Sequence, residues 1–287
     1  MVTAAQAQAK YDRIADRYEE IFFYVGDIGA RLAAFAGPRP GSRALDIGAG
    51  RGAVARALLA RGCVVTAIDA SPEMVGRLTA DHPELTARTM DAARPDFPDG
   101  AFDLVTAGFV VQVLDDPAAV LAQARRMLAP GGTIALSLER QSVGRLGWLQ
   151  ELSAEFFAPD SPAEPEPESQ PEPEPEPDAG PMDADGLDTL LTAGGFRDLA
   201  REDVEMPLPL EGPDALWEWL QPRGGTELVA ALGERAGEFR ARFLDGARTM
   251  AEDGVITLDF AATLHRARRP DRPPTGRHAY PAGRHGG

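Results

Sequence analysis

Asp46 stands two residues ahead of the first glycine in Gly48-Ala49-Gly50-Arg51-Gly52, and that spacing carries the most legible chemistry in the chain. A glycine turn lets the backbone come close to a ligand and aims the N–H groups of the following helix at it. Dinucleotide enzymes use such turns to hold a pyrophosphate. A carboxylate aimed into the turn repels a pyrophosphate and attracts a ligand that carries an ammonium group. Asp69 ends the apolar run VVTAID, where a carboxylate can accept two hydrogen bonds from a ribose diol. Asp91-Ala92 follow a third apolar run. A carboxylate there can accept from the amino group of a base, or cap the next helix.

The elements that must position these residues alternate. RALDI, CVVTAID, ELTARTMD, FDLVTAGF and TIALSLE read as five strands. GAVARALLARG reads as a helix closing on Gly62, and SPEMVGRLTADH as one capped by Ser71 with Pro72 in its first turn. DDPAAVLAQARRMLAPGG reads as a helix that runs until Pro130-Gly131-Gly132 stops it. Strands separated by helices of this length imply a parallel sheet with right-handed crossovers. Two more strands are expected near 197–206 and 255–266, with helices over 213–252 between them.

Net charge is −16, but eight acids and no base fall between Asp160 and Asp178. That tract, rich in Pro-Glu, cannot build a core and is expected to be a disordered spacer. No basic run lies inside the folded part, which disfavours a nucleic-acid partner. Arg266–Arg272 are expected to form a small solvated basic tail. One cysteine, Cys63, and four histidines argue against a disulfide framework or a zinc cluster, so no metal is expected. No apolar run is long enough for a signal peptide or a membrane span, and the expected compartment is the cytosol.

The pieces YDRIADRY, ALDIGAGRG, VTAIDASPEMV, MDAARPDFPDGAFDLVTAGFVVQVLDDP and RMLAPGGTIALS occur in this order over most of residues 11–139. Together they resemble the class I S-adenosylmethionine-dependent methyltransferases, and most of all the bacterial small-molecule group. The resemblance implies an α/β, Rossmann-like, seven-stranded and mostly parallel sheet of order 3-2-1-4-5-7-6, with helical cap and lid elements. It implies S-adenosylmethionine as cofactor. Asp46, Gly48, Ala49, Gly50 and Gly52 would then hold the methionine end, and Asp69 the ribose. Ala70 and Met74 would flank the adenine, Asp91 and Ala92 its edge, and Gly108 and Phe109 the sulfonium. Tyr11 and Tyr18 would belong to an N-terminal helix folded over the site, either touching a substrate or packing that helix. Many relatives carry histidine where this chain has Gln112, and glutamine cannot act as a base near neutral pH.

The acceptor side is less specified. Glu139 ends the fifth strand and could serve as a base or hold an amine, and Arg140 could pair with a carboxylate. His265 is expected on the surface near the end of the last strand. Trp148, Phe156, Phe157, Trp217 and Trp219 could pack a lid or line an apolar pocket. The expected organisation is cap helices over 1–40, a cofactor-binding core over 41–140 and a lid helix over 141–158. A Pro-Glu linker over 159–181, the end of the sheet with its insertion over 182–267, and a disordered tail over 268–287 follow. The expected function is in-line methyl transfer to a small-molecule acceptor. The alternatives are an S-adenosylmethionine-binding protein with other chemistry or none, and an NAD-dependent oxidoreductase, which Asp46 disfavours.

Overall fold

The computed structural model describes residues 4–140, 146–157 and 182–271. The expected Pro-Glu linker and the tail beyond residue 271 lie outside the described residues. Three helices lead in, α1 (Ala4–Ile14), α2 (Tyr18–Ile21) and α3 (Val25–Ala36). The core then alternates through β1 (Arg43–Ile47), α4 (Ala53–Leu59), β2 (Val64–Asp69), α5 (Pro72–Asp81), β3 (Thr86–Thr89), β4 (Phe102–Gly108), α6 (Pro117–Met127) and β5 (Leu128–Arg140). The second half contains α7 (Gly147–Phe157), α8 (Ala184–Ala193), β6 (Arg197–Leu210), α9 (Gly212–Leu220), α10 (Gly225–Leu232), α11 (Ala236–Arg248) and β7 (Ile256–Arg268).

The seven strands form one sheet in the order 3-2-1-4-5-7-6. β1 to β5 pair in parallel, while β7 runs antiparallel to both β5 and β6. Helices cover both faces. Leu32 of α3 and Leu58 of α4 sit in one core with Phe239 and Phe243 of α11. Leu121 of α6 and Leu187 and Leu191 of α8 fill the other. The middle strands are buried almost end to end because both faces are covered, which is why they read as continuous apolar runs. Among the described residues, no helix is long and apolar enough to cross a membrane.

Three local expectations are corrected. α6 stops at Met127 rather than at Pro130. Proline disfavours helical backbone at the residue before it. The chain is already extended at Leu128, and the β4–β5 register then shifts between Phe102 and Leu104. The basic stretch is not a solvated tail. Arg266 lies in β7, donates to the Phe35 carbonyl at 2.9 Å and stacks over the Phe35 ring. Arg269 donates to the carbonyls of Arg125 and Arg126, so order extends past residue 267. His265 is fully buried, with Nδ1 at 2.8 Å from Asp188 of α8, because β7 is an interior strand with β6 outside it.

Candidate active site

The glycine turn joins β1 to α4 at the carboxyl edge of the sheet. Gly48 has φ +61°, and a Cβ there would lie 2.4 Å from Val110 Cγ2, so only glycine fits. Gly50 has φ +51° and faces the Tyr18 ring, which a Cβ would meet at 3.9 Å. Asp69 ties the turn to the end of β2. Its Oδ2 accepts from the Gly50 N–H at 2.8 Å, and its Oδ1 from the Ser71 N–H at 2.9 Å. Burial pushes the Asp69 carboxyl above its ordinary range, against the pull of those donors.

Two adjoining cavities result. The larger, about 170 Å³, is lined by Tyr11, Tyr18, Gly48, Gly50, Asp69, Ala70, Met74, Asp91, Ala92, Gly108 and Phe109, all expected from the sequence. The smaller, about 30 Å³, shares Tyr18, Gly48, Gly108 and Phe109 with it and adds Asp46 and Ala49. Gly52 lines neither. It has φ +87° and packs toward Leu78, shaping the turn from behind. Asp91 does two things: it lines the cavity, and its Oδ1 accepts from the Ala93 N–H at 2.8 Å as a turn cap.

Asp46 is buried in the interior of β1. Its Oδ1 accepts from Thr106 Oγ1 at 2.7 Å, while its Oδ2 has no hydrogen-bond partner among the described residues. Desolvation raises its pKa to about 7 against the pull of the Thr106 hydroxyl and of the nearby Ala55 N–H, which lies outside hydrogen-bond geometry for Oδ2. A buried carboxylate with one unmet oxygen, at the narrow end of a cradle, fits a ligand ammonium.

Ser71, read from the sequence as a helix cap, holds this cradle closed together with residues that the sequence reading missed. Ser71 Oγ caps α5 through the Met74 N–H at 3.0 Å and also bonds Asp12 of α1. Arg51 donates to the Ala15 carbonyl at 2.9 Å and to Asp81 at 2.5 Å, and Arg56 reaches Glu19 at 2.7 Å. These bonds fasten the N-terminal helices over the turn. Phe109 has φ +58°, and its N–H is held by both the carbonyl and Oγ of Ser137, each at 3.1 Å. Arginine and serine are common residues, and beyond the Ser71 cap no signal in the sequence singled out Arg51, Arg56 or Ser137 for this task.

A third cavity, about 1000 Å³, opens beyond the ends of β5, β6 and β7, with walls from α7, α8 and α9. It contains Gln112 and Glu139 and shares Val113 with the 170 Å³ cavity. Gln112 Oε1 accepts from the Glu139 N–H at 2.9 Å, linking the loop after β4 to the end of β5. Arg140 is engaged by Asp203 at 3.3 Å and Glu205 at 3.0 Å. Of the aromatic residues singled out, Trp219 lines this cavity. Trp148 and Trp217 pack on Phe243, and Phe156 on Phe239, as core between α7, α9 and α11. Phe157 is half exposed.

A seven-stranded sheet of this order, with an acid-flanked glycine turn after β1 and a second acid after β2, defines a Rossmann-like nucleoside-binding architecture. A family model described as a methyltransferase domain matches residues 45–136. Aklanonic acid methyltransferase DauC of Streptomyces sp. is 34% identical over 160 residues, 53% of this chain and 68% of that one. Nocamycin O-methyltransferase of Saccharothrix syringae is 36% identical over 136 residues, 44% of this chain and 49% of its own length. The match therefore spans only about half of the latter relative. The fold of the [4+2]-cyclase SpnF is similar, with a TM-score of 0.57 at 17% identity, covering 93% of this chain and 96% of SpnF. The chain belongs to the class I S-adenosylmethionine-dependent methyltransferase family. The cofactor of that family is S-adenosylmethionine, and the residues present fit it.

Proposed function

We propose that the protein transfers the methyl group of S-adenosylmethionine to a small-molecule acceptor. The observation that carries this reading is the unmet Oδ2 of buried Asp46 at the closed end of a nucleoside-sized cradle. In it the methionine end lies against Asp46, Gly48, Ala49 and Gly50, with Gly52 supporting the turn. The ribose lies at Asp69, the adenine among Ala70, Met74, Asp91 and Ala92, and the sulfonium at Gly108 and Phe109. The cofactor supplies an activated methyl. The protein's share is alignment for in-line displacement in a water-poor site. Tyr11 and Tyr18 exclude water from above. Acceptors reach the methyl from the 1000 Å³ cavity, across the wall formed by Val113. The domain with residues 41–140 binds the donor, and the second half selects the acceptor.

SpnF shares the fold and is a cyclase, so fold alone does not decide the chemistry. The test is turnover with methyl-labelled S-adenosylmethionine against a panel of small acceptors, read by mass. A labelled product together with S-adenosylhomocysteine supports transfer. Tight binding of the cofactor with no labelled product from any acceptor would favour a binding role instead.

A further inference from the structure

Two buried polar atoms of opposite kind stand unmet at the narrow end of the cradle. The first is an acceptor, Oδ2 of Asp46. The second is a donor, Nε of Arg51, which has no hydrogen-bond partner among the described residues. Both residues line the 30 Å³ cavity. Glu19, the remaining charged residue of that lining, is paired with Arg56 at 2.7 Å. Arg51 sits inside the glycine turn, between Gly50 and Gly52, whose φ values of +51° and +87° set the backbone around it. The outer end of its guanidinium is committed. Nη1 donates to the Ala15 carbonyl and Nη2 to Asp81. The group is a rigid planar fork, so those two bonds also fix where Nε points. Only 15% of the side chain is exposed, which makes solvent a poor substitute for the missing partner. An unmet buried N–H on a cation is costly, and a ligand that accepts from it recovers that cost.

We infer that Arg51 binds the carboxylate of the cofactor's methionine end, its Nε–H donating to an oxygen while Asp46 holds the ammonium on the same carbon. The inference rests on the cofactor reading of this cradle and adds a residue and a selectivity to it. An α-amino acid carries two charged groups on one carbon, an ammonium that only donates and a carboxylate that only accepts. An unmet acceptor and an unmet donor at one small cavity are the complement of that pair. Bonds between ionised partners are the stronger kind, so each contributes more than a neutral bond would. Neither residue selects a zwitterion by itself. Asp46 alone would take any amine, and Arg51 alone any carboxylate or phosphate. Side by side, each disfavours the ligand that would satisfy only the other.

Arg51 also fastens the cover of the cradle. Ala15, whose carbonyl it holds, lies between α1 and α2, and Tyr11 and Tyr18 of those helices line the 170 Å³ cavity. One guanidinium therefore joins the amino-acid end of the ligand to the helices above the nucleoside. The two roles separate by ligand rather than by residue. Fastening the cover acts alike on every ligand of the cradle. Binding a carboxylate acts only on ligands that carry one.

The test titrates three ligands into the full chain by calorimetry at pH 8: S-adenosylhomocysteine, its decarboxylated analogue, which keeps the amine, and 5′-methylthioadenosine, which lacks both groups. The wild type should bind S-adenosylhomocysteine about tenfold more tightly than the decarboxylated analogue. Arg51→Met should bring that ratio to about one. Asp46→Asn should weaken both amine-bearing ligands relative to 5′-methylthioadenosine. Arg51→Lys keeps the cation and loses the fork, and it should cut the ratio at least about threefold, which covers the case in which Arg51→Met does not fold. A wild-type ratio near one would overturn the assignment, as would a ratio that survives both Arg51 variants. A loss on Arg51→Met shared equally by all three ligands would reduce Arg51 to a fastener of the cover. Each of these leaves the cofactor reading standing. Failure of S-adenosylhomocysteine to bind the wild type at all would sink that underlying reading.

Discussion

The cofactor cradle and the acceptor cavity lie side by side at one edge of the sheet, yet they are built differently. The cradle is built around backbone of β1, β2, β4 and the turns after them, and is closed by Tyr11, Tyr18 and Met74. Its acids are fixed by hydrogen bonds from backbone N–H groups and a hydroxyl: Asp69 from Gly50 and Ser71, and Asp46 from Thr106. The acceptor cavity is made of long side chains from β5, β6, β7 and three helices, joined by ion pairs that span many residues, such as Arg140 with Glu205. A backbone-built site tolerates little change and holds one kind of ligand. A side-chain-built site can be relined while the donor site stays as it is. Under the proposed function, donor binding and acceptor choice fall to separate stretches of chain, and substitutions should separate them.

The largest effect is expected at Gly48. Valine there meets Val110 and forces a branched side chain into left-handed backbone. Strain and overpacking together should lower cofactor affinity by at least about a hundredfold. Calorimetry on a variant with unchanged circular dichroism checks this, and unchanged affinity would mean the turn does not hold the ligand.

Next is a pH dependence. The folded pKa of Asp46 is about 7, above the ordinary aspartate value of about 4. The folded chain therefore holds this proton more tightly than the unfolded chain does. The group's contribution to the stability of the ligand-free protein falls as pH rises from about 4 to about 7, by on the order of 4 kcal/mol. An ammonium needs the ionised carboxylate, so cofactor affinity should rise about tenfold per pH unit up to about 7 and then level. Asp46→Asn should flatten the profile. A wild-type affinity that does not change between pH 5 and 8 would remove the Asp46–ammonium pairing.

Asp69→Ala should weaken cofactor binding by roughly 10- to 150-fold, as expected for losing charge-assisted bonds worth about 1.5–3 kcal/mol. Some of that loss comes through Gly50, whose N–H the carboxylate holds. Across the divide, Trp219→Ala should raise the acceptor KM about tenfold and leave cofactor affinity unchanged. A parallel drop in cofactor affinity would dissolve the separation. Smallest of all, Arg140→Met should change stability by less than about 1 kcal/mol, because its ion pairs are partly exposed.

The same contrast explains what could be seen in the sequence. The strands and the cradle were legible because each depends on neighbours in the chain: a glycine two residues after an acid, an acid closing a strand, a serine capping a helix. The strand order came from the family resemblance. Gly52 was read as part of the cradle because the motif does not say which glycine faces the ligand and which faces Leu78. His265 was misplaced because its burial depends on β6 lying outside β7, a pairing that the local pattern does not encode. Arg266 looked like solvated tail until α3 was folded against it, 231 residues away. The acceptor cavity could not be drawn at all, since its walls meet only after three strands and three helices have packed.

Binding of S-adenosylhomocysteine compared with NAD tests the central claim most directly, by thermal denaturation at neutral pH with each ligand in large excess. A ligand at about 100 times its dissociation constant should stabilise the folded chain by roughly 2.7 kcal/mol. The account predicts that shift with S-adenosylhomocysteine and none with NAD. A shift with NAD alone would contradict it, because a pyrophosphate would then be sitting in the turn that Asp46 is argued to close to it.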